Sequence, residues 1–212
     1  MRRVQKHFQK EAGSFDARVL KSVPFYRDML EALVSSMPFR INQKIKVADL
    51  GCGTGSVSLK VKGHYPRAAI TCVDFSSNML EVAKNKLKDY QDIRYVESDV
   101  MDFDFSGYDA VLSSLTLHHI WKGAAKRALY KKIFRGLHNG GVFYVADLST
   151  GATDYLCKLN LKKWEEFLLQ SLTKEEIAER KKSHKEEDQP FKLMEEISWL
   201  KEAGFRHIEV IW

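Results

Sequence analysis

Apolar positions fall into two patterns along the chain. Between residues 46 and 148, short unbroken apolar runs alternate with stretches of helical periodicity. The runs 47–50, 69–75, 93–96, 108–113 and 142–148 predict strands. The segments 56–62, 77–90 and 124–137 predict helices, because apolar residues return every three or four positions. Over 77–90 the apolar side is Met79, Leu80, Val82, Ala83 and Leu87. Strands that are apolar throughout, not alternately, are buried on both faces. Joined by right-handed helical crossovers, they make a doubly wound, mostly parallel sheet of the α/β class.

The flanks read differently. Residues 15–35 predict a helix interrupted near Pro24, closed by Met37-Pro38. Residues 154–187 predict a charged helical stretch with Trp164, Phe167, Leu168 and Leu172 on one stripe, and Thr173 caps its second half. A helix over 197–203 stops at Gly204, and 205–212 predicts a last strand. With 212 residues, one domain is expected over 1–212: a helical lid (1–46), a core (47–148), a helical insertion with the last helix (149–204) and the last strand (205–212).

Composition narrows the classes. Hydrophobic residues make up 44% of the chain, enough for a core. No apolar run approaches the roughly 18 residues of a membrane span, and the basic start lacks a signal peptide's apolar stretch. A soluble, cytoplasmic protein is expected. Cys52, Cys72 and Cys157 are an odd set without metal-binding spacing, so neither a disulfide framework nor a metal site is expected. The net charge of +6 is concentrated in residues 1–46. A basic arm attracts RNA or an anionic substrate. No aromatic–basic interleaving accompanies it, and a solvated helix surface is the plainer reading.

The candidate chemistry lies where the strands end. Gly51, Gly53 and Gly55 follow the first strand, and backbone without side chains both turns sharply and lets a ligand approach closely. A dinucleotide-binding loop would carry its third glycine one position later, where Ser56 stands. Asp49 would repel a pyrophosphate, which argues against a nicotinamide-dependent dehydrogenase, and suits a cationic group instead. Asp74 closes the second strand, where a carboxylate accepts from ribose hydroxyls. Asp99 follows the third strand, where it would accept from an adenine amino group. Each aspartate alone reads as a turn residue. Together with the glycine turn, they imply an adenine nucleoside with a cationic, amino-acid-like tail.

The segments VADLGCGTG (47–55), VDFSSNML (73–80), ESDV (97–100), YDAVLSSLTLHHI (108–120), LHNGGVFYVADL (137–148) and WLKEAGFRHIEV (199–210) resemble class I S-adenosylmethionine-dependent methyltransferases. The resemblance implies a Rossmann-like fold that binds S-adenosylmethionine and releases S-adenosylhomocysteine after methyl transfer to a small-molecule acceptor. It implies that Asp49, Gly51, Gly53 and Gly55, with Cys52 in the same loop, flank the methionine part. Asp74 would hold the ribose beside Phe75 and Met79. Asp99 and Val100 would frame the adenine, and Ser114 and Leu115 would lie beneath the sulfonium. His118, after the fourth strand, is the candidate catalytic base.

Residues 15–30 and 154–187 are similar to the carboxy-S-adenosylmethionine synthase branch, whose members act in tRNA wobble-uridine modification. That similarity implies that Tyr26 covers the cofactor. It places Lys181, with Arg180 beside it, where the branch carries a carboxylate-binding arginine. A lysine ammonium does not reproduce a guanidinium fork, so ordinary methyl transfer is expected. A cofactor-binding module without turnover is a further alternative. The family's sheet ends in an antiparallel hairpin, of which one strand is visible here. An open edge pairs readily, which points to a homodimer.

Overall fold

The computed structural model describes residues 12–212. The basic start of the chain, residues 1–11, therefore lies outside the described residues. Five strands form one sheet: β1 (Lys46–Leu50), β2 (Ala69–Asp74), β3 (Ile93–Glu97), β4 (Tyr108–Ser114) and β5 (Leu137–Ala146). Their order is β3-β2-β1-β4-β5 and every pairing is parallel. The order reverses between β1 and β4, where Leu50 pairs with both Val73 and Ser113. A crevice at the carboxyl ends of the strands opens at such a reversal.

Three helices cross over the sheet: α3 (Ser56–His64), α4 (Ser77–Lys86) and α5 (Gly123–Gly136). They divide the core into two apolar layers, one on each face. One joins Val47, Ile70, Ala110 and Leu112 to the helix α2 (Tyr26–Ser35), which follows α1 (Phe15–Ser22), through Leu30, Leu33 and Val34. The other packs Ala48, Leu50, Val73 and Val111 against Leu129, Tyr130 and Ile133 of α5. The alternation Val47/Ala48 and Leu112/Val111 between the layers is the period-two geometry of a strand covered on both sides.

The lid helices break at Val23-Pro24-Phe25, as the proline suggests, and Phe25 takes a left-handed φ of 52°. Beyond the sheet lie α6 (Asp154–Leu168), α7 (Lys174–Glu187) and α8 (Leu193–Ala203). Thr173 caps α7 in a reciprocal box: its hydroxyl accepts from Glu176 N–H and the Glu176 carboxylate accepts from Thr173 N–H. The indole N–H of Trp164 on α6 donates to the Ser22 carbonyl at 2.8 Å, tying the insertion to the lid.

Two expectations need correction. The last strand over 205–212 is absent among the described residues. After Gly204 turns at φ 119°, Phe205 packs its ring against Phe134 and Phe143, and Val210, Ile211 and Trp212 stand exposed. A strand forms only against a partner, and none lies beside the outer edge of β5. The sheet is therefore wholly parallel. The helix expected over 124–137 and the strand expected from 142 are not separated by the Asn139-Gly140-Gly141 between them. α5 ends at Gly136, where an added Cβ would lie 2.5 Å from Phe105 Cβ, and the glycines form an irregularity inside β5.

Candidate functional site

The glycine loop fills the crevice between β1 and β4, and its three glycines do different work. Gly51 (φ 61°) lies against Thr116, whose Cγ2 would be 2.2 Å from an added Cβ. Gly55 (φ 81°) backs onto Leu87 and Ala83 near the end of α4. Gly53 (φ 51°) has nothing within 4 Å of its missing side chain, so its backbone faces open space. That space is a narrow pocket with Gly51, Cys52 and Gly53 on one wall, Asp74, Phe75 and Met79 on another, and Tyr26, Ser114 and Leu115 closing it. Nine of the residues expected at the cofactor thus share one pocket.

Asp74 anchors it. Its Oδ2 accepts from Gly53 N–H at 2.9 Å and its Oδ1 from Ser76 N–H at 2.8 Å. Burial raises its pKa against these backbone bonds. Phe75 N–H is a third backbone partner, so of the roughly four acceptor sites of a carboxylate one remains to offer. Asp49 lies behind the loop, fully buried; its Oδ2 accepts from Ser58 at 2.7 Å and its Oδ1 has no partner. Burial pushes Asp49 up to about 7, against the Ser58 bonds. An orphaned carboxylate oxygen fits a ligand with an ammonium group, and the open face of Gly53 fits one that needs close backbone approach. Tyr26 closes over this region, bonded to Ser56, with burial pushing its pKa up to about 12.

Asp99 and Val100 do not line this pocket. They follow β3 at the same sheet edge, where Asp99 Oδ1 accepts from Met101 N–H at 3.0 Å and Val100 is buried in the core. Gly55 also stands back from the wall, because its role is helix packing.

Residues that sequence reasoning passed over hold the lid down. Asp16 on α1 accepts from Thr54 at 2.6 Å and pairs with Lys86 at 2.6 Å. Partial burial would raise the Asp16 pKa, but Lys86 and Thr54 outweigh it and hold it low. Asp16→Asn is expected to loosen this staple, costing about 1 kcal/mol because the pair is partly exposed. Urea unfolding would measure the loss.

Leu115 marks the edge of the pocket. It is a bulky residue at φ 50°, held by its N–H to the Ala146 carbonyl at 2.9 Å. Such strain persists only where surrounding structure enforces it, and it clusters at functional sites. Leu115, Phe15 and His119 also line a second, larger cavity of about 410 Å³. Its walls include Arg18 of α1, Trp164 of α6, and Arg180, His184 and Glu187 of α7. Burial lowers the Arg18 pKa to about 10, with Arg180 adding repulsion. Of the apolar stripe expected on 154–187, Trp164 is in this wall. Phe191 stacks edge-on against Trp199, and Met194 is exposed.

His118 is not placed as a base. Its Nδ1 bonds Asp147 and its Nε2 faces Asp188 Oδ1 at 3.4 Å. Burial opposes the charged ring, but the two carboxylates prevail and hold it at about 9. A ring that keeps its proton does not take one from an acceptor. Lys181, expected near the ligand, points outward and pairs with Glu165 at 2.7 Å, while its neighbour Arg180 faces the cavity.

Comparison with known proteins bears on the fold and the kind of domain. Residues 47–141 match a methyltransferase domain family. The chain is 28% identical to a carboxy-S-adenosyl-L-methionine synthase of Nautilia profundicola over 98% of its own length and 90% of the relative's. It is 29% identical to the Campylobacter jejuni protein of that name, over 98% and 89%. Human N-acetylserotonin methyltransferase, solved with S-adenosylmethionine, superposes with a TM-score of 0.63 at 19% identity, covering 93% of this chain and 51% of the other. Haemonchus contortus phosphoethanolamine N-methyltransferase 2, also with S-adenosylmethionine, gives 0.59 at 19%, over 85% and 37%. At these identities the solved structures share the fold. No helix among the described residues is long and apolar enough to cross a membrane.

Proposed function

We propose that this chain, a class I S-adenosylmethionine-dependent enzyme of the methyltransferase type, transfers a methyl group to a small acceptor that bears a carboxylate or similar anion. The single observation that carries this reading is the large cavity abutting the glycine-loop pocket, with Arg18 and Arg180 in its wall and Leu115 and His119 shared between the two. Arg18 and Arg180 share this wall with Glu187 and Asp188, and Glu179 and Glu176 also act on Arg180. The planar guanidinium fork suits a carboxylate or a similar anion.

When bound, S-adenosylmethionine supplies an electrophilic methyl on a sulfonium. The chain's own residues bind and orient. Asp74 would receive a ribose hydroxyl, and Asp49, buried behind the loop, would favour the cationic tail by its charge. Tyr26 and Phe15 cover the pocket and exclude water, while Leu115 forms the partition across which the acceptor is aligned. Alignment of this kind is the main requirement when the electrophile is already activated.

A second reading is favoured by the names of the relatives and by the position of Arg180. In it the anion is a carboxylate carried by the cofactor itself, as in carboxy-S-adenosylmethionine, and the product serves tRNA modification. Titration with plain and carboxylated cofactor separates the two. A preference for the plain form supports methyl transfer to an anionic acceptor; a clear preference for the carboxylated form supports the second reading. In either case Arg180→Ala is expected to weaken binding of the anionic partner by about tenfold, one charge-assisted bond. Plain S-adenosylmethionine should bind as before, and Lys181→Ala should change neither. Loss of anion binding in Lys181→Ala but not in Arg180→Ala would contradict the assignment. RNA, a homodimer partner and a cytoplasmic location are expectations of the sequence that stay open to test by salt-dependent RNA titration, sedimentation and localisation.

A further inference from the structure

We infer that His118, His119 and Asp188 form a binding site for one divalent transition-metal ion on the wall of the large cavity. The donors come from two distant parts of the chain: the short 3-10 turn Leu117–His119 after β4, and the residue that closes α7. His118 Nε2 lies 3.4 Å from Asp188 Oδ1, and His119 Nδ1 lies 3.4 Å from the same oxygen. All three donor atoms lie within 4.8 Å of one another. Nitrogen and oxygen donors about 2.0–2.1 Å from one zinc ion stand about 3.0–3.4 Å apart in octahedral or tetrahedral shells. Both contacts to Asp188 have that spacing, and a single ion requires the two ring nitrogens to stand within about 4.2 Å of each other.

The surroundings brace the donors as an outer coordination shell does. His118 meets the buried Asp147 carboxylate through Nδ1, and the second Asp147 oxygen accepts from His118 N–H at 2.9 Å. A carboxylate on the far nitrogen fixes the ring and its tautomer, and a metal ion would take the place of the proton that Nε2 shares with Asp188, so that uptake releases a proton. Asp188 is held from behind, its Oδ2 2.7 Å from His184 Nδ1. The Glu187 carbonyl oxygen lies 3.1 Å from His119 Nδ1 and adds a neutral donor on the same side. The backbone also joins the two halves, with Gln189 N–H donating to the His118 carbonyl at 2.8 Å.

Two imidazoles and one carboxylate select zinc, cobalt, nickel or ferrous iron over magnesium or calcium, which prefer oxygen throughout. All three residues line the cavity, so the remaining coordination positions face its open space and offer a Lewis-acidic contact to whatever binds there. Sequence spacing hid the site: His118 and His119 are adjacent, and Asp188 lies beyond three helices and a strand. The inference rests on this cluster alone and stands whether or not the proposed transfer reaction is correct.

The test is metal loading of the full chain. The purified protein is stripped with chelator, titrated with zinc or cobalt(II) chloride, freed of excess metal by gel filtration and assayed by elemental mass spectrometry. One equivalent per chain is expected, and cobalt should develop a visible band of nitrogen and oxygen coordination. His119→Gln and Asp188→Asn should each weaken uptake tenfold or more while the circular-dichroism spectrum is kept. Should those variants fail to fold, X-ray absorption of the zinc-loaded wild type decides: imidazole nitrogens with oxygens support the site, and sulfur in the shell assigns the metal to cysteine and overturns it. Absence of stoichiometric uptake by the wild type, or uptake unchanged in folded variants, also overturns it. The cluster would then be an ion-pair network in which His118 joins two carboxylates.

Discussion

Asp74→Ala is expected to weaken S-adenosylmethionine binding by about a hundredfold or more. The backbone N–H groups of Gly53, Ser76 and Phe75 leave the carboxylate one of its roughly four acceptor sites, and a ribose hydroxyl of the cofactor would occupy it. Charge-assisted bonds contribute about 1.5–3 kcal/mol each, and about 1.4 kcal/mol is tenfold in affinity. The substitution also frees the Gly53 N–H, loosening the loop that forms the opposite wall. Asp74→Asn should fall between, because an amide keeps one acceptor oxygen. Isothermal titration of wild type and both variants gives the ratio, with circular dichroism as the control for folding. Binding by Asp74→Ala as tight as wild type would remove the ribose assignment.

Gly51→Ala should be the most destabilising single change in the glycine loop, at about 3 kcal/mol. An added Cβ would lie 2.2 Å from Thr116 Cγ2 and 2.3 Å from its Oγ1. Thr116 has little freedom to withdraw, being short, β-branched and hydrogen-bonded to the Gly51 and Ser114 carbonyls. Overpacking costs about 1–3 kcal/mol and a left-handed φ about 1–2 kcal/mol more. Gly53→Ala meets only the second cost, since its Cβ would enter open space, yet that space is where the cofactor would lie. The pair should therefore dissociate: Gly51→Ala unfolds at lower urea, while Gly53→Ala loses about 1 kcal/mol of stability but most of its affinity. Equal stability losses would show that the two glycines are not specialised in this way.

Much of the site was legible in the residues because a parallel sheet gathers the ends of its strands at one edge. Gly51, Gly53, Asp74, Phe75 and Met79 come from two strand ends, and continuous apolar runs were enough to place them together. What escaped depends on tertiary approach. Helical spacing alone does not say which of Arg180 and Lys181 faces inward, and α7 is charged around most of its circumference. The cavity wall takes Arg180, and Glu165 on α6 takes Lys181 outward. His118 looked reactive beside the strand end, but Asp147 and Asp188, 29 and about 70 positions on, convert it into a charged bridge. Asp99 had the right place in the sequence and instead caps its own turn. The run 205–212 has the β-branched and aromatic content of a strand, but pairing needs a neighbour and β5 offers none there. Nothing in the sequence pointed to Asp16 as the lid's staple, since its partners Thr54 and Lys86 lie on the loop and on α4.

The most direct measurement is equilibrium titration of the emptied wild-type protein with S-adenosylmethionine, with a nicotinamide dinucleotide as competitor. One saturable site per chain, insensitive to the dinucleotide and lost in Asp74→Ala, is the expected result. No saturable binding, or displacement by the dinucleotide at comparable concentration, would contradict the placement of this cofactor between the glycine loop and Tyr26.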